Sequence, residues 1–452
     1  MTGIAIADRN RRYWSYDGEP TLLLGGSVED NLFQVADVAD HLDDLVAAGG
    51  NYVRCTMSAR DAGDVQPFAA SGGTYHLDEW HAEYWDRFED FLAATAERDV
   101  VVQVELWDCH DCSADPWDDS PWNPANNDTY TAAESGLPTE HIDREDRFEN
   151  PFLRTTPALE DNELVRGYQD RYVDRVLAAT SEYDHVLYSV ENETETAPSW
   201  GEYWADFVRE RDPGAFVTQM WNAWELRHPH HFRTIDHPES YDFVDVSQNN
   251  FQSGVEHWSA LQACRAQVTD PVRPLNNVKV YGSDETTDLP GGDIFGDTRD
   301  GIERFWRSVF GGCGTARFHR PPFGLGLSER AKTAIAGART VTDELALVAC
   351  EPHNELLDGW RDNVGSDAQP GIEGQAYVLA DPGEEYAVYL PEGGTATLEA
   401  DLSGLTCQWF DADAGEWTVS GLADDTDDRA SAAGSGVRLD APGDGQWIAV
   451  VQ

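Results

Sequence analysis

His185-Val-Leu-Tyr-Ser-Val-Glu-Asn-Glu193 starts as a short apolar run, Val186 to Val190, and ends in a carboxylate, an amide and a second carboxylate. A helical pattern stops near Ser181 just before it, and the turn-like Thr194 to Ser199 follows. A continuous apolar run of this kind reads as a buried parallel strand, and the C-terminal ends of such strands are where barrel folds gather their polar chemistry. Taken alone, Glu191 and Glu193 read more readily as solvated loop charges in an acidic chain. The rest of the chain has to decide between the two.

Working outward, the same unit recurs on both sides. Upstream, apolar runs at Thr21 to Gly26, Asn51 to Met57 and Val100 to Trp107 each precede a helical pattern. Val35, Val38, Leu42, Leu45 and Val46 form one such stripe, closed by Gly49-Gly50. Downstream, Phe216 to Trp221, Phe243 to Ser247, Val278 to Tyr281 and Gly314 to His319 read as four further strands. Eight strand-helix units within roughly 325 residues predict an α/β fold of the (β/α)8 barrel type. No Gly-x-Gly-x-x-Gly follows the first strand, which argues against a doubly wound nucleotide fold. Past Gln375 the pattern changes to short alternating runs, Tyr386 to Leu390 and Trp417 to Val419 among them, separated by turns such as Asp381-Pro-Gly. These predict a small antiparallel β-sandwich. The expected organisation is therefore a barrel over residues 1–348 with a short N-terminal β segment, a connection over 349–374, and the sandwich over 375–452.

Composition bounds the partners. The 452 residues carry 84 acidic against 31 basic side chains, a formal net charge of -53, and the only lysines are Lys279 and Lys332. The acids are dispersed over the whole chain, a pattern that suits a surface kept soluble in high salt, where screening removes self-repulsion. Such a field repels nucleic acid and anionic membrane, so neither is expected as a partner. The N-terminus lacks a secretory signal pattern and no stretch reaches the length of a membrane span, so a cytoplasmic location is expected. Seven scattered cysteines do not form a disulfide framework. Cys109-His-Asp-Cys112 has metal-like spacing without the second pair that a zinc site needs, and His228-Pro-His-His231 reads as a loop. No metal and no cofactor is expected, and the oligomeric state is left open.

A barrel collects its chemistry at the strand C-termini. There the sequence places Arg54 on the second strand, Glu105 and Trp107 on the third, and Asn192 and Glu193 on the fourth. Trp221 and Asn222 follow on the fifth, Gln248 on the sixth, Tyr281 with Asp284 and Glu285 on the seventh, and Arg317 and His319 on the eighth. Polar groups after every strand are more than a barrel needs for packing. Strands four and seven lie across the mouth from one another, so Glu193 can face Asp284 or Glu285. Two carboxyl groups about 5–5.5 Å apart are what retaining glycoside hydrolysis requires.

Four stretches carry a family resemblance: Arg12-Tyr-Trp-Ser-Tyr-Asp-Gly-Glu-Pro20, Gly49-Gly-Asn-Tyr-Val-Arg54, Val190-Glu-Asn-Glu193 and Phe305-Trp-Arg-Ser-Val-Phe-Gly-Gly312. They resemble a barrel family formerly described only as a domain of unknown function, which includes apiosidase-like glycoside hydrolases. Tyr386-Ala-Val-Tyr-Leu-Pro391 and Trp409-Phe-Asp-Ala-Asp-Ala-Gly-Glu-Trp417 are similar to the C-terminal domain of that family, described as collagen-binding. The resemblance implies an Asn-Glu acid/base motif at the end of strand four, hence Glu193, and a glutamate nucleophile on strand seven, which favours Glu285 over Asp284. It also implies that Arg54 keeps the nucleophile ionised. Tyr281-Gly-Ser-Asp-Glu-Thr286 departs from the family's nucleophile strand. The expected substrate is an oligosaccharide, and an anionic one if Arg317 and His319 point into the mouth. The alternative is a carbohydrate-binding barrel that has lost its strand-seven nucleophile. Trp117, Trp122 and Tyr130 on the long loop after strand three read more readily as packing anchors than as sugar platforms.

Overall fold

The computed structural model describes residues 3–285, 295–360, 375–418, 421–422 and 436–452. Most of the expected connection, together with Thr286 and Val419, lies outside these residues. Eight parallel strands form the central sheet. They are β1 (Leu23–Gly26), β2 (Tyr52–Thr56), β3 (Val101–Asp108), β4 (Val186–Asn192), β5 (Val217–Thr218), β6 (Val244–Asp245), β7 (Leu275–Val280) and β8 (Thr315–Phe318). β1 to β5 pair in sequence, and β8, paired with β1, leads back through β7 to β6. Between β5 and β6 the ring is joined by the Asp242 N–H on the Val217 carbonyl, 2.8 Å, and the Thr218 hydroxyl on the Phe243 carbonyl, 2.7 Å.

A helix follows each strand, from Val38–Ala47 after β1 to Glu329–Asp343 after β8. Outward residues such as Val53, Val102, Val104 and Val190 pack beneath these helices. Inward residues at the N-terminal ends form a separate apolar floor of Leu23, Tyr52, Val101, Leu187, Phe243 and Val278, closed from below by Trp14 of a three-stranded N-terminal sheet, Ile4–Ile6, Trp14–Tyr16 and Glu19–Thr21. The Trp14 indole meets Phe216 and Phe243 edge-on, and its N–H donates to Asn276 Oδ1 at 3.0 Å. With the bottom plugged by apolar side chains, the polar inward positions sit above it and the mouth opens at the strand C-termini.

Two elements differ from the sequence reading. β5 and β6 are two-residue strands, because regular pairing with β4 and β7 is confined to Val217–Thr218 and Val244–Asp245 although the apolar runs continue past them. A hairpin, Phe68–Ser71 with Thr74–Trp80, is inserted between β2 and its helix, and Phe68 closes it by stacking on Trp80.

The C-terminal part is antiparallel. A seven-stranded sheet carries Val378, Val388 and Ala449 on one face, where they meet Leu398 and Leu439 of a two-stranded sheet. Its other face packs on the barrel: Tyr389 lies 5.9 Å from Trp306 and Tyr377 4.8 Å from Trp258, between ring centroids. The first strand of this sheet, Glu351–Pro352, pairs with Leu379 and Ala380, so the sheet takes up part of the stretch read as a connection.

Candidate active site

β4 brings Glu193 to the mouth through a local break in the strand. Asn192 still pairs with Asp108 and Thr194 bridges Trp221, while Glu193 between them sits in the left-handed region at φ +52. A non-glycine residue in that region is strained by about 1–3 kcal/mol and persists where its surroundings enforce it. Here three donors hold the carboxylate: Lys279 Nζ at 2.6 Å and Gln248 Nε2 at 3.1 Å on Oε1, and His110 Nε2 at 2.9 Å on Oε2. Burial alone would push the Glu193 carboxyl up, but the charge of Lys279, then His110, outweighs it and holds the group well below the usual carboxylate range.

Lys279 comes from β7 and is 2% exposed. It also donates to Asn192 Oδ1 at 2.6 Å, and Asn192 Nδ2 donates to Asp108 Oδ2 at 3.0 Å. Arg60 pairs with Asp108 at 2.9 Å. Burial works against the Asp108 charge, yet Arg60 and His110 bring its pKa down to about 2. The mouth thus holds two ionised carboxylates, Glu193 and Asp108, linked through Asn192 and Lys279.

A second cluster lies beside it. Arg54 grips Glu105 with two bonds of 2.6 Å and also pairs with Asp30. Asp30 further receives Arg320 Nε at 3.0 Å and has His319 Nδ1 3.6 Å away. The guanidinium groups overcome the cost of burying Asp30 and hold its pKa well below the ordinary value, with Arg54 the stronger. Tyr281 covers the cluster, its ring 4.5 Å from that of His319.

The remaining expected residues are elsewhere. Asp284 and Glu285 are exposed on the rim, where Asp284 accepts from the Thr298 N–H at the start of the next helix, 3.4 Å. Arg54, expected to support a strand-seven nucleophile, pairs with Glu105 and Asp30 instead. Arg317 is fully buried below the mouth and donates to the Val278 carbonyl at 2.8 Å and to the Ser27 hydroxyl. It therefore does not face the mouth as the anionic-substrate expectation required. Trp107 turns toward the helices and packs on Trp204, Tyr172 and Phe152 at 5.1, 5.4 and 5.5 Å. Trp221 is buried with its N–H on Thr234 Oγ1 at 2.7 Å. Asn222 donates to Glu195 at 2.5 Å. Trp117, Trp122 and Tyr130 are buried as packing anchors. Behind β3, a cavity of about 60 Å³ is lined by Trp107, Trp117, Trp122, Tyr172 and Asp111. That space suits a few waters and is too small for a sugar ring.

Sequence reasoning missed Lys279 and His110 as partners of Glu193. A signal for Lys279 was available: one of only two lysines in the chain sits on a barrel strand. His110 was hidden in a cysteine-spaced motif. The ligand atoms of Asp108, Cys109 and His110 do lie within 4.8 Å of one another, as a metal set would. Each already has a partner, however: Arg60 for Asp108, Arg147 Nε at 3.3 Å for the Cys109 sulfur, and Glu193 for His110. The two guanidinium groups already at the site, Arg60 and Arg147, also oppose a further positive charge.

No protein-family model matches the chain, and no curated protein matches it in sequence. Solved structures do resemble it in shape. A glycoside hydrolase family 5 protein from Bacteroides vulgatus superposes with a TM-score of 0.64 at 12% identity, over 99% of this chain and 93% of that one. Another structure, described as a glycoside hydrolase, gives 0.64 at 9% identity over 100% and 96%. A family 5 mannosidase from Rhizomucor miehei, in complex with mannosyl-fructose, gives 0.52 at 12% identity over 76% and 99%. The chain therefore has the (β/α)8-barrel fold found in these glycoside hydrolases.

Proposed function

We propose that the chain hydrolyses a glycosidic bond of an oligosaccharide at the barrel mouth, with Glu193 as the essential carboxylate. The observation that carries this reading is Glu193 itself, a strained carboxylate at the end of β4 that three side chains from other strand ends hold in the opening. In the retaining form of the reaction Glu193 is the acid/base, and Asp284 or Glu285, on the loop after β7, is the nucleophile. An acid must carry a proton, which Lys279 denies to Glu193 in the resting site. Substrate that displaces the ammonium would leave the burial penalty unopposed, and the carboxyl would rise toward a donor's pKa. Lys279, Arg60 and Arg320 at the mouth are each paired with carboxylates. That pairing favours a neutral saccharide over an anionic one.

A second reading has its own support. Lys279 occupies an inward position on β7 against Glu193, while Asp284 and Glu285 lie exposed. A barrel that binds carbohydrate without cleaving it would be built this way.

One set of variants separates the two. Turnover of aryl glycosides and anomeric configuration by NMR are followed in wild type, Glu193→Gln, Asp284→Asn and Glu285→Gln. A hydrolase loses about 10²–10⁴-fold in Glu193→Gln on substrates with poor leaving groups. It loses less on activated ones, which need no proton, and loses most activity when the nucleophile is removed. Saturable sugar binding with no product from wild type establishes the second reading. If neither Asp284→Asn nor Glu285→Gln alters turnover, the nucleophile assignment is wrong.

A further inference from the structure

The described residues include four exposed large apolar side chains, and Trp224 is the only aromatic among them, at 49%. In a chain of net charge -53 its surroundings make that exposure unusual. Trp224 does not dangle. The carbonyl of Ala223 before it is held by buried His231 Nε2 at 2.7 Å, and Leu226 after it is buried in an apolar cluster. The indole lies nearly parallel to Phe251, centroids 4.1 Å apart at 24°. Phe251 in turn meets Phe295 at 5.0 Å, and Phe295 meets Tyr281 edge-on at 4.7 Å. An aromatic arc thus runs along the rim from the loop after β5 to the end of β7.

The arc is tied to Glu193 at both ends of the stack. Three residues before Phe251, Gln248 donates to Glu193. Three residues before Trp224, Trp221 bridges Thr194, the neighbour of Glu193. Three residues span at most about 10–11 Å between Cα atoms, so with the side chains at each end included the stack lies no more than a few sugar rings from the carboxylate. The charged groups around it are engaged, and carboxylates outnumber cations: Arg227 pairs with Glu225 and Glu256, and Glu195 receives Asn222.

We infer that the Trp224–Phe251 stack is an outer subsite, on which Trp224 receives the apolar face of a neutral pyranose ring of the substrate. A pyranose with equatorial hydroxyls presents axial C–H bonds to such a face, and a rigid indole supplies contact area at little cost in conformational entropy. Among the described residues, Arg227 beside the stack is paired with Glu225 and Glu256, and the buried Arg304 is turned onto the Gln252, Tyr281 and Phe295 carbonyls, which leaves neither to clamp a uronic acid. This inference rests on the carbohydrate reading of the mouth.

The test is calorimetric binding, with KM where there is turnover, of neutral β-linked gluco- and manno-oligosaccharides from one to six rings. Wild type, Trp224→Ala and Trp224→Phe are compared. The subsite predicts a loss in Trp224→Ala that grows with chain length and reaches about tenfold for the longer probes, with most of it restored by Trp224→Phe. A loss equal at every length, or none at any, overturns the subsite while the carbohydrate reading stands. If wild type neither binds nor cleaves any probe, the carbohydrate reading fails and the subsite with it.

Discussion

Lys279 Nζ lies 2.6 Å from both Glu193 Oε1 and Asn192 Oδ1, so a single ammonium ties β7 to the end of β4 across the mouth. Lys279→Met leaves the Glu193 carboxylate without its main counter-charge. Breaking one side of an enclosed ion pair costs about 3–5 kcal/mol. The folded Glu193 pKa is lowered, so its contribution is present above the ordinary carboxylate value and is lost as pH falls through the folded pKa. The stability gap between wild type and Lys279→Met is therefore expected to be wide at pH 7 and to narrow in acid. Urea melts at pH 7 and pH 4 measure it, and an equal gap at both values contradicts the pairing.

Glu191 behaves in the opposite sense. It is fully buried, one carboxyl oxygen has no partner, and burial raises its pKa to about 8. A raised folded pKa means that its contribution is complete below about 4.5 and is lost by the time pH passes about 8. Glu191→Gln removes that dependence. Between pH 5 and 8.5 the variant should gain on wild type by up to ~4 kcal/mol, read from denaturant midpoints. Asp245, raised by burial to about 7, titrates in the same window in both proteins and cancels from the comparison. Parallel pH profiles would refute the assignment.

Arg54 is the common partner of Glu105 and Asp30, and all three are buried. Arg54→Leu strands Glu105 and leaves Asp30 with Arg320 as its remaining guanidinium partner, and it is expected to cost about 3–5 kcal/mol. Arg54→Lys should fail almost as badly, since an ammonium cannot replace the two-pronged grip on Glu105. Thermal midpoints decide this, and a lysine variant as stable as wild type would be inconsistent with it.

Two glycines should respond with opposite signs. A Cβ at Gly25 on β1 would lie 2.0 Å from the Tyr52 carbonyl, so Gly25→Ala must push β1 and β2 apart and destabilise by several kcal/mol, on the order of other overpacked sites. Gly167, inside the helix Glu163–Thr180, has no atom near its Cβ position and no positive φ. Gly167→Ala should stabilise by about 0.5–1 kcal/mol. Chemical denaturation of both variants checks the pair.

The barrel was legible because its strands are apolar runs and its helices carry regular stripes, each set by the same inward and outward burial. The two-residue lengths of β5 and β6 were not, since an apolar run marks burial and does not report where hydrogen-bond pairing stops. At the mouth, Asn192, Glu193 and Gln248 could be placed from strand ends alone. The orientations of Trp107, Trp221 and Arg317 could not, because alternation fails where a strand twists out of the sheet, and because a polar inward position can lie below the opening. The partnership of Lys279 with Glu193 joins residues 86 positions apart. No local pattern encodes it.

The scarcity of lysine has a practical side. Apart from the N-terminal amine, the chain offers two primary amines: Lys332, at the surface beside Asp44, and Lys279, enclosed against Glu193. Acylating reagents need an unprotonated, reachable amine, so they should mark Lys332 readily and Lys279 only while its ion pair with Glu193 is parted. The candidate site thus carries one addressable nitrogen. Its rate of modification, resolved by mass in a single peptide, would report the parting of the Lys279–Glu193 pair without any engineered label.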